Sequence, residues 1–232
     1  MKIKSTRVYV TGNFIPCVLD IEGKTIKQIL PYDTEADVDY KDLRIVPGFI
    51  DIHCHGAYGY DTNDGEPEGL KKWTKNIVQE GVVGLLSTTL TPYKSVLMKA
   101  VKNVADVVKE GDYEGARILG IHFEGPYLDM KWKGAQPPEA IVSPSVEEFK
   151  EYQEAADNLI KIITMAPEHD PEFALTRYAS QHGTIVSIGH SNATFQEAMM
   201  AVANGASSVT HTYNAQTPFT HRANGIVGLA FR

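Results

Sequence analysis

Five residues of the kinds that bind divalent cations or move protons recur at matching places in this chain. They are His53 and His55 in VPGFIDIHCHG, Glu124 in GIHFEGPYL, His190 in SIGHSNAT and His211 in VTHTYNA. Each stands at the end of a short apolar run. Alternate side chains of a strand share a face, so a His-x-His at a strand end aims two imidazoles at one point. Imidazole nitrogens with a carboxylate oxygen suit a borderline divalent cation, zinc foremost and iron or manganese as alternatives, with an open position left for water. The chemistry this allows is metal-assisted hydrolysis. Singly, each residue also reads as a barrel histidine with a hydrogen bond, or as a glutamate capping a loop before Gly-Pro. Recurrence at the ends of four separate runs argues for a common purpose.

Neighbouring polar residues fit less well. Cys54 lies between the two histidines but has the opposite parity, so it is read as a buried thiol; with Cys17 as the one other cysteine, neither a disulfide framework nor a structural zinc site is expected. His122 shares the face of Glu124 and is either a partner behind a ligand or a core histidine. Asp51 shares the parity of His53 and lies deeper in the strand, where it could orient that ligand. Asp61, His169 and Asp170 follow strands without a ligand pattern, and Asp64-Gly65 reads as a turn.

The elements that would position these groups can be read from periodicity. RVYVTG, IPCVLDIEG and TIKQILPY are β-branched pieces broken by Gly, Pro and Asp, and predict a small β-domain over residues 1–45. From residue 46 to 232 apolar strands alternate with amphipathic helices, the pattern of a parallel sheet. The strands are RIVPGFIDIH, VVGLLSTTLT, RILGIHFEG, LIKIITMAP, TIVSIGHS and SSVTHTYNA. Helices are expected near 67–80, 93–110, 145–157, 171–182 and 194–204, with SPSVEE opening one and Asn204-Gly205 closing another. Six βα units behind a β-domain point to a TIM-like (β/α)8 barrel, whose catalytic groups sit at the carboxyl ends of its strands. A full barrel takes roughly 250 residues and eight strands. An incomplete barrel of about six units is therefore expected, with ANGIVGLAFR opening the sixth helix.

A chain of 232 residues with 43% hydrophobic content and a formal net charge of -7 is an ordinary globular protein, whose acidity disfavours nucleic acid or an anionic membrane as partner. The apolar runs are too short to span a bilayer and MKIKSTRVYVTG lacks a signal-peptide core, so a cytoplasmic location and a small-molecule partner are expected.

PGFIDIHCHGAYGYDTND, HFEGPYLDMKWKGAQPPE, GHSNATFQEA and THTYNAQTPFTHRANGIVGLAF resemble the signature stretches of the N-acetylglucosamine-6-phosphate deacetylases, amidohydrolases of amino-sugar catabolism. The resemblance implies hydrolysis of the acetamide of N-acetylglucosamine 6-phosphate to glucosamine 6-phosphate and acetate. It assigns the principal metal to Glu124, His190 and His211, and a second ion to the His53 and His55 pair, so that one or two ions are expected. Substrate contacts carry over to Ala135, Gln136, Asn214, Ala215 and Arg222, with His221 a secondary candidate. Gln136 departs from members with histidine there and cannot supply a cationic imidazole. The family's proton-transferring aspartate, at the end of strand eight, would lie beyond Arg232, so no catalytic acid or base is assigned within the chain. A homodimer is expected if the fold is complete. Two rival readings stay open: a metal-binding or interaction fragment without activity, and an amidohydrolase acting on a cyclic amide.

Overall fold

The computed structural model describes residues 1–231. Its contacts divide it into two compact units, Met1–Phe49 and Ile50–Arg232.

The first unit is a five-stranded sheet. β1 (Lys2–Val10), β2 (Asn13–Glu22) and β3 (Thr25–Pro31) form an antiparallel meander, and the short β4 (Val38–Asp39) and β5 (Arg44–Ile45) each pair in parallel with β1. Thr11 and Gly12 join β1 to β2 in two residues, both with positive φ, the backbone twist that a tight hairpin needs. Val8, Cys17 and Leu19 make its small core.

The second unit holds a six-stranded sheet of order β11-β10-β9-β8-β7-β6. Its strands are β6 (Phe49–Cys54), β7 (Val82–Thr89), β8 (Arg117–Glu124), β9 (Ile160–Met165), β10 (Ile185–Ile188) and β11 (Ala206–Val209). The pairings from β7 to β11 are parallel. Between them run α1 (Pro67–Ile77), α2 (Lys94–Glu110), α3 (Val146–Ala155), α4 (Ala174–Gln181) and α5 (Phe195–Ala203), and α6 (Gly225–Ala230) follows β11. This is the six-unit, incomplete TIM-like arrangement expected above, behind a small N-terminal β-sheet.

Some boundaries differ from expectation, two of them for a plain local reason. The first barrel strand was read as one run from Arg44 to His53, but Pro47-Gly48 interrupts it, and Arg44–Ile45 pairs with β1 instead. Proline has no N–H to give a ladder, and with the glycine after it marks a break between two strands. The fourth helix, expected from residue 171, begins at Ala174, because Glu172 and Phe173 have left-handed backbones that break the helical path.

Parity along the strands sorts core from site. On β8, Ile121 and Phe123 face the helices, and Phe123 packs on Tyr152 and Phe149 of α3; His122 and Glu124 take the opposite face. On β9 and β10 the same rule sends Ile163, Met165, Val186 and Ile188 into the core and leaves Thr164 and Ser187 on the other side. That inner side carries a chain of hydrogen-bonded polar side chains. Thr164 bonds to His122 and Thr210, and Thr210 to Ser187, at 2.6–2.8 Å.

Candidate metal centre

Glu124 is the last residue of β8 and is 1% exposed. Four imidazoles from three other units close on its carboxylate. His211 Nε2 lies 2.9 Å and His190 Nε2 3.2 Å from Oε1, with His53 Nε2 at 3.6 Å; His55 Nε2 lies 3.3 Å from Oε2. The ring-to-ring spacings of His53 with His55 and His211 are 5.1 and 4.8 Å. The five residues singled out by spacing thus converge on one point.

Backbone geometry does part of the aiming. His190 and His211 stand two residues past the ends of β10 and β11 rather than on them, with φ of +50° and +57°. Left-handed backbone is uncommon outside glycine and costs on the order of 1–3 kcal/mol, so the surrounding contacts must hold it. At His190 they are visible: its carbonyl accepts from Asp129 N at 2.8 Å, and a Cβ at the preceding Gly189 would stand 2.7 Å from Thr210 Cβ.

The hydrogen bonds decide which face of each ring is free. His190 Nδ1 lies 2.8 Å from the Trp132 carbonyl and His55 Nδ1 3.2 Å from the Thr88 carbonyl. A carbonyl only accepts, so Nδ1 must carry the hydrogen in both, and a neutral ring then turns the lone pair of Nε2 toward Glu124. A lone pair facing a carboxylate is repulsive unless a proton or a cation lies between them. His53 Nε2 is buried with no hydrogen-bond partner at all. These residues fit a divalent cation, and the nitrogens and oxygen offered by His53, Glu124 and His211 all lie within 4.8 Å of one another. His122 has no such free nitrogen: Nδ1 donates to the Ile52 carbonyl at 2.8 Å and Nε2 accepts from Thr164 at 2.7 Å, so it fastens β6 beside the cluster.

A proton on Nε2 can take the cation's place between ring and carboxylate. Burial alone would raise the Glu124 pKa, but hydrogen bonds from His190, His211 and His55 outweigh it and hold the carboxyl well below its usual range. Burial opposes charge on His55 and His190 as well, yet their bonds to Glu124 leave both pKa values raised. His53 has no such bond, and burial lowers it to about 4 despite the attraction of Glu124.

The remaining expected site residues fall into three groups. Gln136 is 3% exposed and its amide is committed to Thr91 and Glu124. Ala135, Asn214 and Ala215 lie on the loops beside these ligands: Asn214 N donates to the His211 carbonyl, and the Ala215 carbonyl accepts from Ser191 N. Arg222 and His221 are exposed; within their own turn Arg222 Nε donates to His221 Nε2 and Arg222 N to Thr220 Oγ1. The acidic candidates serve local ends. Asp51 accepts from the backbone N–H of His53 rather than from its ring, Asp61 caps the short helix Thr62–Asp64, and Asp170 accepts from Leu175, Thr176 and the Thr176 hydroxyl.

His169 pairs with Asp129 at 2.8 Å, while neighbouring Glu168 accepts from Ser191 Oγ and Asn192 N at 2.7 and 2.5 Å. Those oxygens are already engaged, so this second gathering of donors reads as a brace for the His190 loop. Sequence reasoning passed over Glu168 and the Trp132 carbonyl. Glu168 could have been found, as a carboxylate just past a strand end like Glu124; nothing in the residue type of Trp132 signals the use of its carbonyl.

No family model matches the chain. It is 41% identical over 202 residues to the N-acetylglucosamine-6-phosphate deacetylase of Bacillus subtilis (strain 168), covering 86% of this chain and 51% of that one. The structure superposes with a TM-score of 0.89 and 25% identity on a Mycobacterium smegmatis N-acetyl-D-glucosamine-6-phosphate deacetylase, a D267A mutant in complex with N-acetyl-D-glucosamine-6-phosphate. That match covers 98% of this chain and 59% of the other.

The chain belongs to the N-acetylglucosamine-6-phosphate deacetylase family. It spans about half the length of the curated deacetylases it matches. An Escherichia coli O157:H7 relative, 34% identical over 195 residues and covering 84% of this chain and 50% of that one, is an N-acetylgalactosamine-6-phosphate deacetylase. Relatives of this deacetylase family therefore include proteins named for two epimeric sugars. Among the described residues no helix is long and apolar enough to cross a membrane.

Proposed function

We propose that this chain carries the metal-binding part of a deacetylase site that hydrolyses the acetamide of N-acetylglucosamine 6-phosphate, giving glucosamine 6-phosphate and acetate. The observation that carries the reading is the buried Glu124 carboxylate ringed by His53, His55, His190 and His211, with the His55 and His190 tautomers leaving Nε2 free to face it. Zinc fits this set best, with iron and manganese as alternatives; the His53 and His55 pair has room to hold a second ion beside the one at Glu124, His190 and His211. A cation there supplies Lewis acidity for attack of water on an amide.

The chain's own residues do the rest of what can be assigned. Trp132 and Thr88 fix the His190 and His55 tautomers, and Glu168 holds the loop after His190. On the loop with Ala215, Asn214 offers a side-chain amide, and Arg222 a guanidinium; such groups recognise a sugar phosphate without a basic protein. Amide hydrolysis also needs a group that takes a proton from water and gives one to the departing amine. Glu124 is fully occupied by imidazoles, and Asp51, Asp61 and Asp170 are spent on backbone groups, so none of these takes that task.

This last observation favours a second reading, in which the chain binds metal without turning substrate over. Acetate release by the metal-loaded 232-residue chain separates the two. Turnover of N-acetylglucosamine 6-phosphate but not of N-acetylglucosamine establishes the deacetylase; N-acetylgalactosamine 6-phosphate tests the sugar epimer. Bound metal with no acetate from any of them selects the second reading.

A further inference from the structure

We infer that Gln136 is a positioning residue that orients the Glu124 carboxylate for metal, rather than a group that touches substrate. The inference rests on the metal-site reading above. Three hydrogen bonds form a closed triangle among buried residues. Thr91 N donates to Gln136 Oε1 at 2.7 Å, Gln136 Nε2 donates to Glu124 Oε2 at 3.3 Å, and Thr91 Oγ1 donates to the Glu124 carbonyl at 3.2 Å. Thr91, Glu124 and Gln136 are 0%, 1% and 3% exposed.

The two ends of the amide admit one orientation. A backbone N–H can only donate, so the atom facing Thr91 must be the amide oxygen; the carboxylate can only accept, so the atom facing Glu124 must be the NH2. Both requirements agree. A buried amide with both ends engaged at fixed sites has no freedom left to swing toward a ligand.

The consequence falls on Glu124. Its two oxygens meet different surroundings: Oε1 faces His190, His211 and His53, while Oε2 faces His55 and the Gln136 amide. The amide takes up one lone pair of Oε2 and resists rotation of the carboxyl group. Oε1 is thereby the oxygen presented with the His190 and His211 nitrogens. Partners that orient metal ligands typically cost about ten- to a hundredfold in metal affinity when removed.

The test compares zinc affinity, by competition with a chromophoric chelator, for the wild-type chain, Gln136→Met and Gln136→Glu. Gln136→Glu keeps an acceptor for Thr91 N but replaces the donor to Glu124 with a like charge. A purely structural role predicts that Gln136→Glu matches wild type while Gln136→Met weakens. The positioning role predicts that both weaken about ten- to a hundredfold, with the far-ultraviolet circular dichroism of Gln136→Glu like that of the wild-type chain. Zinc affinity of Gln136→Glu equal to or above wild type overturns the inference. A wild-type chain that binds no zinc overturns the metal reading itself and this inference with it, an outcome distinct from the previous one.

Discussion

Replacing Glu168 tests whether the His190 loop is held as the structure indicates. In Glu168→Ala the hydroxyl of Ser191, 0% exposed, loses its acceptor, and Asn192 N loses a charged partner at 2.5 Å. A buried hydroxyl left unsatisfied costs about 2 kcal/mol, and the exposed Asn192, which water can serve, adds about 1. Against this stands the cost of keeping a carboxylate half-buried, which pushes the Glu168 pKa up in spite of those hydrogen bonds. The balance is a loss of about 2 kcal/mol, or a fall in Tm of about 4–8 °C for a chain this size. The sign of the pH dependence follows. The folded chain holds the Glu168 proton more tightly than the unfolded one, so the stability tied to this group falls as pH rises from the unfolded to the folded pKa. Glu168→Gln cannot ionise, so wild type should lose ground against it across that window. Thermal melts at several pH values, read through Trp132, whose indole N–H donates to Asn192 Oδ1 at 2.9 Å, measure both effects. A Tm for Glu168→Ala within about 1 °C of wild type would refute the brace.

Three further outcomes follow from the same geometry. Zinc at a hundred times its Kd should stabilise the wild-type chain by about 2.7 kcal/mol, while Glu124→Gln should retain no zinc after desalting; zinc retained by that variant would show that the imidazoles suffice without the carboxylate. Gly125 has φ +82°, and a Cβ there would meet Thr91 Oγ1 at 1.9 Å, so Gly125→Ala should cost about 3 kcal/mol in denaturant unfolding and weaken zinc binding through Glu124. Thr194 and Glu197 form a reciprocal cap at the start of α5; Thr194→Ala should cost about 1 kcal/mol in the same unfolding experiment and leave zinc affinity unchanged, since the cap touches none of the proposed ligands.

Much of this protein can be read from local pattern. Side-chain parity within a strand is a covalent property, so His53 and His55, and likewise His122 and Glu124, were paired on one face before any fold was known, and Phe123 was committed to the opposite side. Ser145 at the start of α3 and Asn204-Gly205 after α5 end their helices for equally local reasons, by offering a side-chain acceptor or a tolerant backbone. The recurrence of donors at strand ends, together with parallel βα order, was enough to bring β6, β8, β10 and β11 to a common centre. What needed tertiary structure was everything set by partners distant in sequence. The His190 tautomer depends on the carbonyl of Trp132, 58 residues away, and the His55 tautomer on that of Thr88. The resemblance carries a substrate contact to Gln136, and only the approach of Thr91 and Glu124 shows both ends of its amide engaged. A backbone carbonyl carries no residue type, and an amide serves many partners equally well. Which hydrogen bond each makes is therefore decided by the packing of one loop against another, not by the letters of either.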